Sequence, residues 1–243
     1  MHRSEFLYPP GGPLPDRPTA GLPRPRPHQH FAGSIRVPYI APWTGENARQ
    51  PTITTRLGRV GYGISYADEY GIADRMRGAL WVRMPVKPGA GGPLLGRIHA
   101  LRQRQAMYHM LCQGCGQSTV GGRSDQRHLF LMASTTGQPI AEGDKTITPP
   151  SCAGCAVEAA LEGPSLGRRY VAVLVEHVLA WGVAGIVYAP DTLVPVPRNN
   201  GNEFALVAYD DPRLPWTLAY REVVSLHGCT AIDLKDLTAQ TAA

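Results

Sequence analysis

Short apolar runs separated by Gly, Pro, Asn and Asp recur along most of the chain, a pattern that suits strands better than helices. Val60 to Tyr66 reads as a strand, 67–71 as a turn and Ala79 to Arg83 as the returning strand of a hairpin; His128 to Met132 and Phe204 to Ala208 read as further strands. The run from Tyr170 to Ala189 is apolar enough to imitate a membrane span. Val171, Val173, Val175 and Val178 are β-branched, however, Gly182 and Gly185 punctuate the run, and a Glu176-His177 pair would be costly in hydrocarbon. Two strands joined near Trp181-Gly182 are expected instead, and no membrane partner.

Three segments change period. Between Leu95 and Met110, Ile98, Leu101, Gln105 and Met107 or Tyr108 fall near helical spacing. Cys155 to Leu161 is rich in alanine, glutamate and leucine, and Gly163-Pro164 should stop it. Pro215 to Leu226 is expected to be a helix, with proline at its first position and Leu218, Glu222 and Leu226 four residues apart. The fold class is therefore α+β with a sheet-rich core. Asp74 to Val82 and Asp125 to Leu131 echo one another as polar turn followed by apolar strand, which favours one continuous core.

Organisation follows composition. Residues 1–30 hold eight prolines, and Pro23, Pro25 and Pro27 alternate with Arg24 and Arg26. Such a stretch offers little apolar surface to offset ordering, so 1–32 is expected to be a disordered arm. The remainder divides into a β-rich segment (33–94), a cysteine module (95–165) and a last segment (166–243) expected to pack with 33–94. With 243 residues, 43% of them hydrophobic, the chain has room for one sizeable domain or two small ones.

The formal charge is +5, spread along the chain rather than gathered in a run, so it tolerates a nucleic-acid partner without demanding one. The five cysteines are an odd number, which argues against a disulfide framework. No apolar signal core follows Met1-His2-Arg3-Ser4, and a cytoplasmic setting is expected.

Four of those cysteines form two Cys-x-x-Cys pairs, Cys112/Cys115 and Cys152/Cys155, with 36 residues between them. Soft thiolates at this spacing close a tetrahedron around Zn²⁺, because each pair presents two sulfurs from one tight turn. The separation exceeds the roughly 15–20 residues of a compact zinc ribbon. Gly114 and Gly154, each just before a second thiolate, are expected to relieve the turns sterically. Two disulfides or redox pairs are the alternative, but the surroundings of Cys112 do not read as a βαβ unit. Four thiolates leave no open position for water, so the zinc would be structural. A knuckle, a β-hairpin and a second knuckle opening a helix would make the module treble-clef-like, with a zinc ribbon as the alternative.

Other candidates have plainer readings. Arg97, Arg102 and Arg104 could present a basic helix face to nucleic acid, or could be a solvated face. Asp68, Glu69 and Asp74 are expected to make local turn hydrogen bonds rather than acid–base chemistry. His227 and Cys229 could be a base and nucleophile or a second metal site, but are expected to be structural at a helix end. No phosphate-binding loop ending in Lys-Ser/Thr, no Gly-x-Ser-x-Gly elbow and no His-Glu-x-x-His helix is present.

Leu111-Cys112-Gln-Gly-Cys115-Gly116 and Pro149-Pro-Ser-Cys152-Ala-Gly-Cys155-Ala156, preceded by the Gly96 to Met107 segment and Gly78-Ala-Leu-Trp81, resemble a group of uncharacterised actinobacterial zinc-knuckle proteins over roughly residues 60 to 235. The resemblance implies zinc ligation by the four cysteines and implies no reaction. Where members of that group carry a Cys-Pro shortly after the second knuckle, this chain has Gly163-Pro164. Two functions fit the sequence: a non-catalytic regulatory or interaction protein contacting nucleic acid or a protein, or an enzyme of actinobacterial specialised metabolism that acts on a small molecule in the sheet-rich core, its zinc purely structural.

Overall fold

The computed structural model describes residues 29–47, 49–58, 61–134, 137–162, 170–197, 204–233 and 236. In chain order its strands are β1 (Phe31–Ala32), β2 (Ile35–Arg36), β3 (Ile53–Gly58), β4 (Gly61–Tyr66), β5 (Arg75–Met76) and β6 (Ala79–Trp81). Helix α1 (Ala100–Tyr108), β7 (His128–Ala133), β8 (Lys145–Thr146) and α2 (Ala153–Glu162) follow. The last part is all strand: β9 (Tyr170–Val175), β10 (His177–Val187), β11 (Ala205–Ala208), β12 (Thr217–His227) and β13 (Thr230–Ile232).

β12 is the strand around which the largest sheet is built. It runs antiparallel to β10 along its length, parallel to β6 at Leu218 and Ala219, and antiparallel to β8 at Val224 and Ser225. The order is β11-β10-β12-β6-β5, with β8 beside β12. The expected helix over 215–226 is therefore a strand. Four residues are two full strand periods, so Leu218, Glu222 and Leu226 carry the same spacing in either element. What decides is that Thr217, Tyr220, Val223 and Val224 suit a pleated surface, and that most of the strand is buried, as in a central strand.

Among the described residues no strand lies beside the edge of β12 between β6 and β8, and α1 packs there. The Gln103 carboxamide accepts from Glu222 N at 2.9 Å and donates to Glu222 O at 2.9 Å and to Ile147 O at 2.8 Å. One buried side chain thus supplies the donor and acceptor that a neighbouring strand would have offered.

The expected strands in 170–189 exist, but they part at Glu176, and they belong to different sheets. β9 pairs with β7 and β13, whereas β10 lies in the main sheet. Trp181-Gly182 lies inside β10, where the register against β12 shifts between Ala180 and Gly182 and again between Ala184 and Gly185. These are bulges, and glycine is required at both: a Cβ on Gly182 would run into the Val207 carbonyl, and one on Gly185 into that of Leu218.

Nor do β4 and β6 form a hairpin with one another. β4 pairs with β3, while β6 pairs with β5 and β12. Residues 1–28 of the expected arm, Val60 of the first expected strand and Gly163-Pro164 lie outside the described residues. Phe31–Ala32, also within that arm, pair with Ile35–Arg36, and the His30 ring meets Trp43 edge-on at 5.0 Å. No helix among the described residues is long and apolar enough to cross a membrane.

The core is layered. The β7-β9-β13 sheet alternates cleanly, sending Phe130, Val173 and Val175 towards Met107, Val224 and Leu226, and sending Leu129, Leu131, Ala172 and Leu174 towards Ala156 of α2. Trp81, Val183, Val207 and Ala219 pack together on the main sheet, while Ile64 and Tyr66 of β4 pack on Leu80 and Leu218.

One charge is buried in the main sheet. Glu222 is 3% exposed; its Oε1 accepts from the Tyr209 hydroxyl at 2.6 Å, and its Oε2 has no partner among the described residues. Burial pushes its carboxyl above the ordinary 4.5, against the opposing pull of Tyr209, Arg77 and Arg104. In the unfolded chain the group loses its proton first, so folding stability falls as pH rises from 4.5 through the raised value, and the loss is complete above it. Glu222→Gln is expected to remove that slope and raise the unfolding temperature at neutral pH. Thermal unfolding of both proteins across pH 4 to 8 measures it, and parallel curves would contradict the assignment.

Candidate metal centre

The first knuckle follows α1 directly. Met110 takes a left-handed turn (φ 50°), Leu111 bridges to Ser118, Cys112 N donates to Gln117 O at 2.7 Å and Gly116 N to Cys112 O at 2.8 Å. Gly116 closes this loop at φ +72°, and the Tyr39 ring fills the space a Cβ would need. The second knuckle is fixed to β7 by Ser151 N donating to Leu129 O at 2.8 Å, and Cys152 then starts α2, its carbonyl accepting from Ala156 N at 3.0 Å. Cys155 occupies the first turn of that helix, whose dipole favours negative charge there.

The four cysteines converge. Their sulfurs all lie within 4.8 Å of one another, with Cys112 Sγ 3.7 Å and Cys115 Sγ 3.9 Å from Cys152 Sγ. A disulfide would need about 2.05 Å, and all four thiols are free. The edge of a tetrahedron with metal–sulfur bonds of about 2.3 Å is about 3.8 Å, so the set has the dimensions of a four-thiolate metal site. Hydrogen bonds from Cys112 lead the influences that draw the Cys115 thiol down to about 7 and lower that of Cys152, while the same contacts raise those of Cys112 and Cys155.

Side chains outside the two pairs hold them together. Gln113 N donates to Pro150 O at 2.8 Å, and the Gln113 carboxamide donates to Ser151 Oγ at 2.9 Å and Leu131 O at 3.1 Å, which ties knuckle to knuckle. Tyr39 N donates to Gly114 O at 2.9 Å. Arg36 Nε meets Glu158 Oε2 of α2 at 2.7 Å, and the Glu158 hydrogen bond, with the charges of Glu158, Cys155 and Cys115 behind it, raises the basicity of that guanidinium. Arg36, Tyr39 and Gln113 carry no sequence signal for this role, because the contacts that define it are remote in the chain.

The two glycines differ in purpose. A Cβ on Gly114 would lie 2.9 Å from Cys155 Cβ and 3.0 Å from its sulfur, so this glycine lets the second knuckle close on the first. Around Gly154 a Cβ meets nothing within 4 Å, and the expected steric role is missing there. Knuckle and helix are both present, but β7 pairs with β9 and β8 with β12, so the intervening strands do not fold back on each other as a treble clef requires.

The expected arginine face is not formed. Arg102 is 3% exposed and is spent on Glu46 (2.6 and 2.7 Å) and the Ala41 carbonyl (2.6 Å). Burial works against the Glu46 charge, but Arg102 and the amides of Trp43 and Lys87 outweigh it and hold that carboxyl at about 2. Arg104 lies 4.5 Å over the Trp81 ring, and Arg97 is exposed but precedes the helix. The three were grouped by spacing on a helix that begins only at Ala100. Asp68 and Asp74 are engaged by Arg83 at 2.9 and 2.6 Å and Glu69 by Arg75 at 2.9 Å, ion pairs rather than turn bonds alone. His227 ends a strand, not a helix.

Gly114→Ala is expected to displace the Cys155 sulfur and so lower metal content and affinity about tenfold or more, whereas Gly154→Ala leaves both unchanged. Elemental analysis and competition with a chromophoric chelator measure the pair. Equal behaviour of the two variants would contradict the close-approach argument.

Comparison of the chain with protein-family models, with curated proteins and with solved structures found no match in any of the three, so the chemistry of the site rests on its own geometry.

Proposed function

We propose that Cys112, Cys115, Cys152 and Cys155 hold one Zn²⁺ and that the ion is structural. The observation that carries this reading is the closed four-sulfur set, all within 4.8 Å, with Cys112 fully buried. Thiolate softness selects zinc over the hard cations, and a tetrahedron completed by sulfur leaves no position for a substrate or an activated water. The metal would clamp the end of α1 to the start of α2, and through Gln113 and Tyr39 it would anchor the β7 sheet and the 36–40 segment.

The protein is then a zinc-stabilised scaffold whose working surface lies away from the metal. Contact with nucleic acid through Arg97, Arg102 and Arg104 loses its support, since two of the three are engaged inside the fold. A protein partner or a small molecule would have to be met on the sheet.

Purified protein is expected to carry one zinc per chain. Cys152→Ser, or removal of zinc by a strong chelator, should loosen 95–165 and lower the unfolding temperature, because metal-binding free energy is folding free energy in such modules; the apparent value for structural zinc, about 10–16 kcal/mol, rivals the roughly 5–15 kcal/mol that holds a whole domain. Hydrogen exchange resolved by segment measures the effect. A Cys152→Ser protein with unchanged unfolding and exchange would show that the site is not structural.

A further inference from the structure

The end of β12 presents a second cluster, independent of the cysteines. Ser225 and His227 are two residues apart on one strand, so their side chains project from the same face. His227 Nε2 lies 3.1 Å from Ser225 Oγ, and His227 Nδ1 lies 2.8 Å from Glu142 Oε1. A carboxylate can only accept, so Nδ1 carries the hydrogen, and in the neutral imidazole Nε2 is left to accept from the serine hydroxyl. Glu142 is itself fixed: its Oε2 accepts from Gly228 N at 2.9 Å and Cys229 N at 3.4 Å. Its turn is laced to β12 by Gly143 N donating to Leu226 O at 2.8 Å and by Leu226 N donating to Asp144 O at 3.0 Å.

Hydroxyl, imidazole and carboxylate in this series are the nucleophile, base and orienting group of acyl-transfer chemistry. The neighbours fit the same chemistry. Register sets Lys145 and Leu179 directly opposite Ser225, and His177 opposite His227, so all of them share the face. The Lys145 ammonium lies 5.2 Å from the centre of the Trp181 ring, and the pairing of Lys145 with Ser225 puts a cationic side chain on the face that carries the serine. Leu179 is 54% exposed and with Trp181 forms an apolar rim. Ser225 lies low on this face at 8% exposed, while the His227 side chain is 34% exposed, so the base is open to solvent and the hydroxyl is screened from it. Cys229 does not compete as nucleophile, because burial and then the Glu142 and Asp144 carboxylates raise its thiol.

We propose that Ser225 and His227 are the catalytic residues, and Glu142 the positioning residue, of a hydrolytic site for carboxylic esters with a short apolar acyl group. Ser225 Oγ attacks the ester carbonyl carbon as its proton passes to His227 Nε2, and the carbonyl oxygen takes up negative charge beside Lys145. Collapse breaks the ester C–O bond, and the alcohol leaves with the proton held by His227. Water then attacks the acyl-serine, giving a proton to His227. The second collapse releases the carboxylic acid, and that proton returns to Ser225 Oγ. No oxidant, reductant or cofactor is required.

The test uses the full-length protein as purified, with p-nitrophenyl butyrate as substrate and a fluorophosphonate as covalent probe. The expected result is hydrolysis above background and one phosphonyl adduct mapped to Ser225. Ser225→Ala should abolish the adduct and cut turnover by about a hundredfold or more with an unchanged unfolding temperature. Glu142→Gln should lower kcat with little change in KM, and Glu142→Asp should recover part of it, a split that loss of a turn-closing bond alone would not produce. If Ser225→Ala does not fold, His227→Gln supplies the same readouts. Absence of the adduct in the unmodified protein, or turnover unchanged by Ser225→Ala, would overturn the proposal. Because zinc content is measured on the same samples, either failure is separable from failure of the metal assignment.

Discussion

Four sulfurs confined within 4.8 Å are the constraint on which the rest of this structure turns. As thiolates they would repel one another, each unit-charge pair by about 4 kcal/mol at 4 Å in an effective dielectric of about 20. As thiols they would offer only weak hydrogen bonds for a buried contact. A single soft dication would resolve both problems, and the fold brings the four sulfurs to the spacing such an ion needs. One pair hangs from the end of α1, the other opens α2, and Gly114 gives up its side chain so that Cys155 can approach.

From that point order spreads in two directions. Through Gln113 and Ser151 the knuckles grip β7, and with it the sheet that is packed between α2 and the main sheet. Through α1 they reach β12, because Gln103 completes the strand's bare edge and Met107 packs against Val224 and Leu226. Arg102, on the same helix, crosses to Glu46 and binds the early part of the chain. A helix of nine residues is thus held on three sides, which compensates for a length too short to be stable by itself.

What was legible in the sequence, and what was not, follows the range of the interactions. Cys-x-x-Cys spacing is local chemistry, and all four cysteines do converge; the strands at His128–Ala133 and Ala205–Ala208 and the two helices were equally visible in local pattern. Partnership was not visible. Val60 to Tyr66 and Ala79 to Arg83 look like the arms of one hairpin, yet each found its partner elsewhere, since a period of two says which face is buried and not which strand lies alongside. Leu218, Glu222 and Leu226 carry a spacing common to helix and strand, and burial in the middle of a sheet decided between them. Arginine is usually a surface residue, so the commitment of Arg102 to a buried carboxylate 56 positions away leaves no trace in the helix that carries it. Of the second group only His227 stands out in the sequence, and there beside Cys229 rather than Ser225, because Glu142, which completes the group, is remote in sequence and adjacent only once the 141–144 turn is bound to β12.

X-ray absorption at the zinc edge tests the metal assignment most directly, because it counts the ligands rather than the consequences of losing them. The account predicts a first shell of four sulfurs at about 2.3 Å, with no nitrogen or oxygen neighbour. A shell containing light atoms, or fewer than four sulfurs, would contradict a closed structural site and would reopen the metal as a place where chemistry occurs.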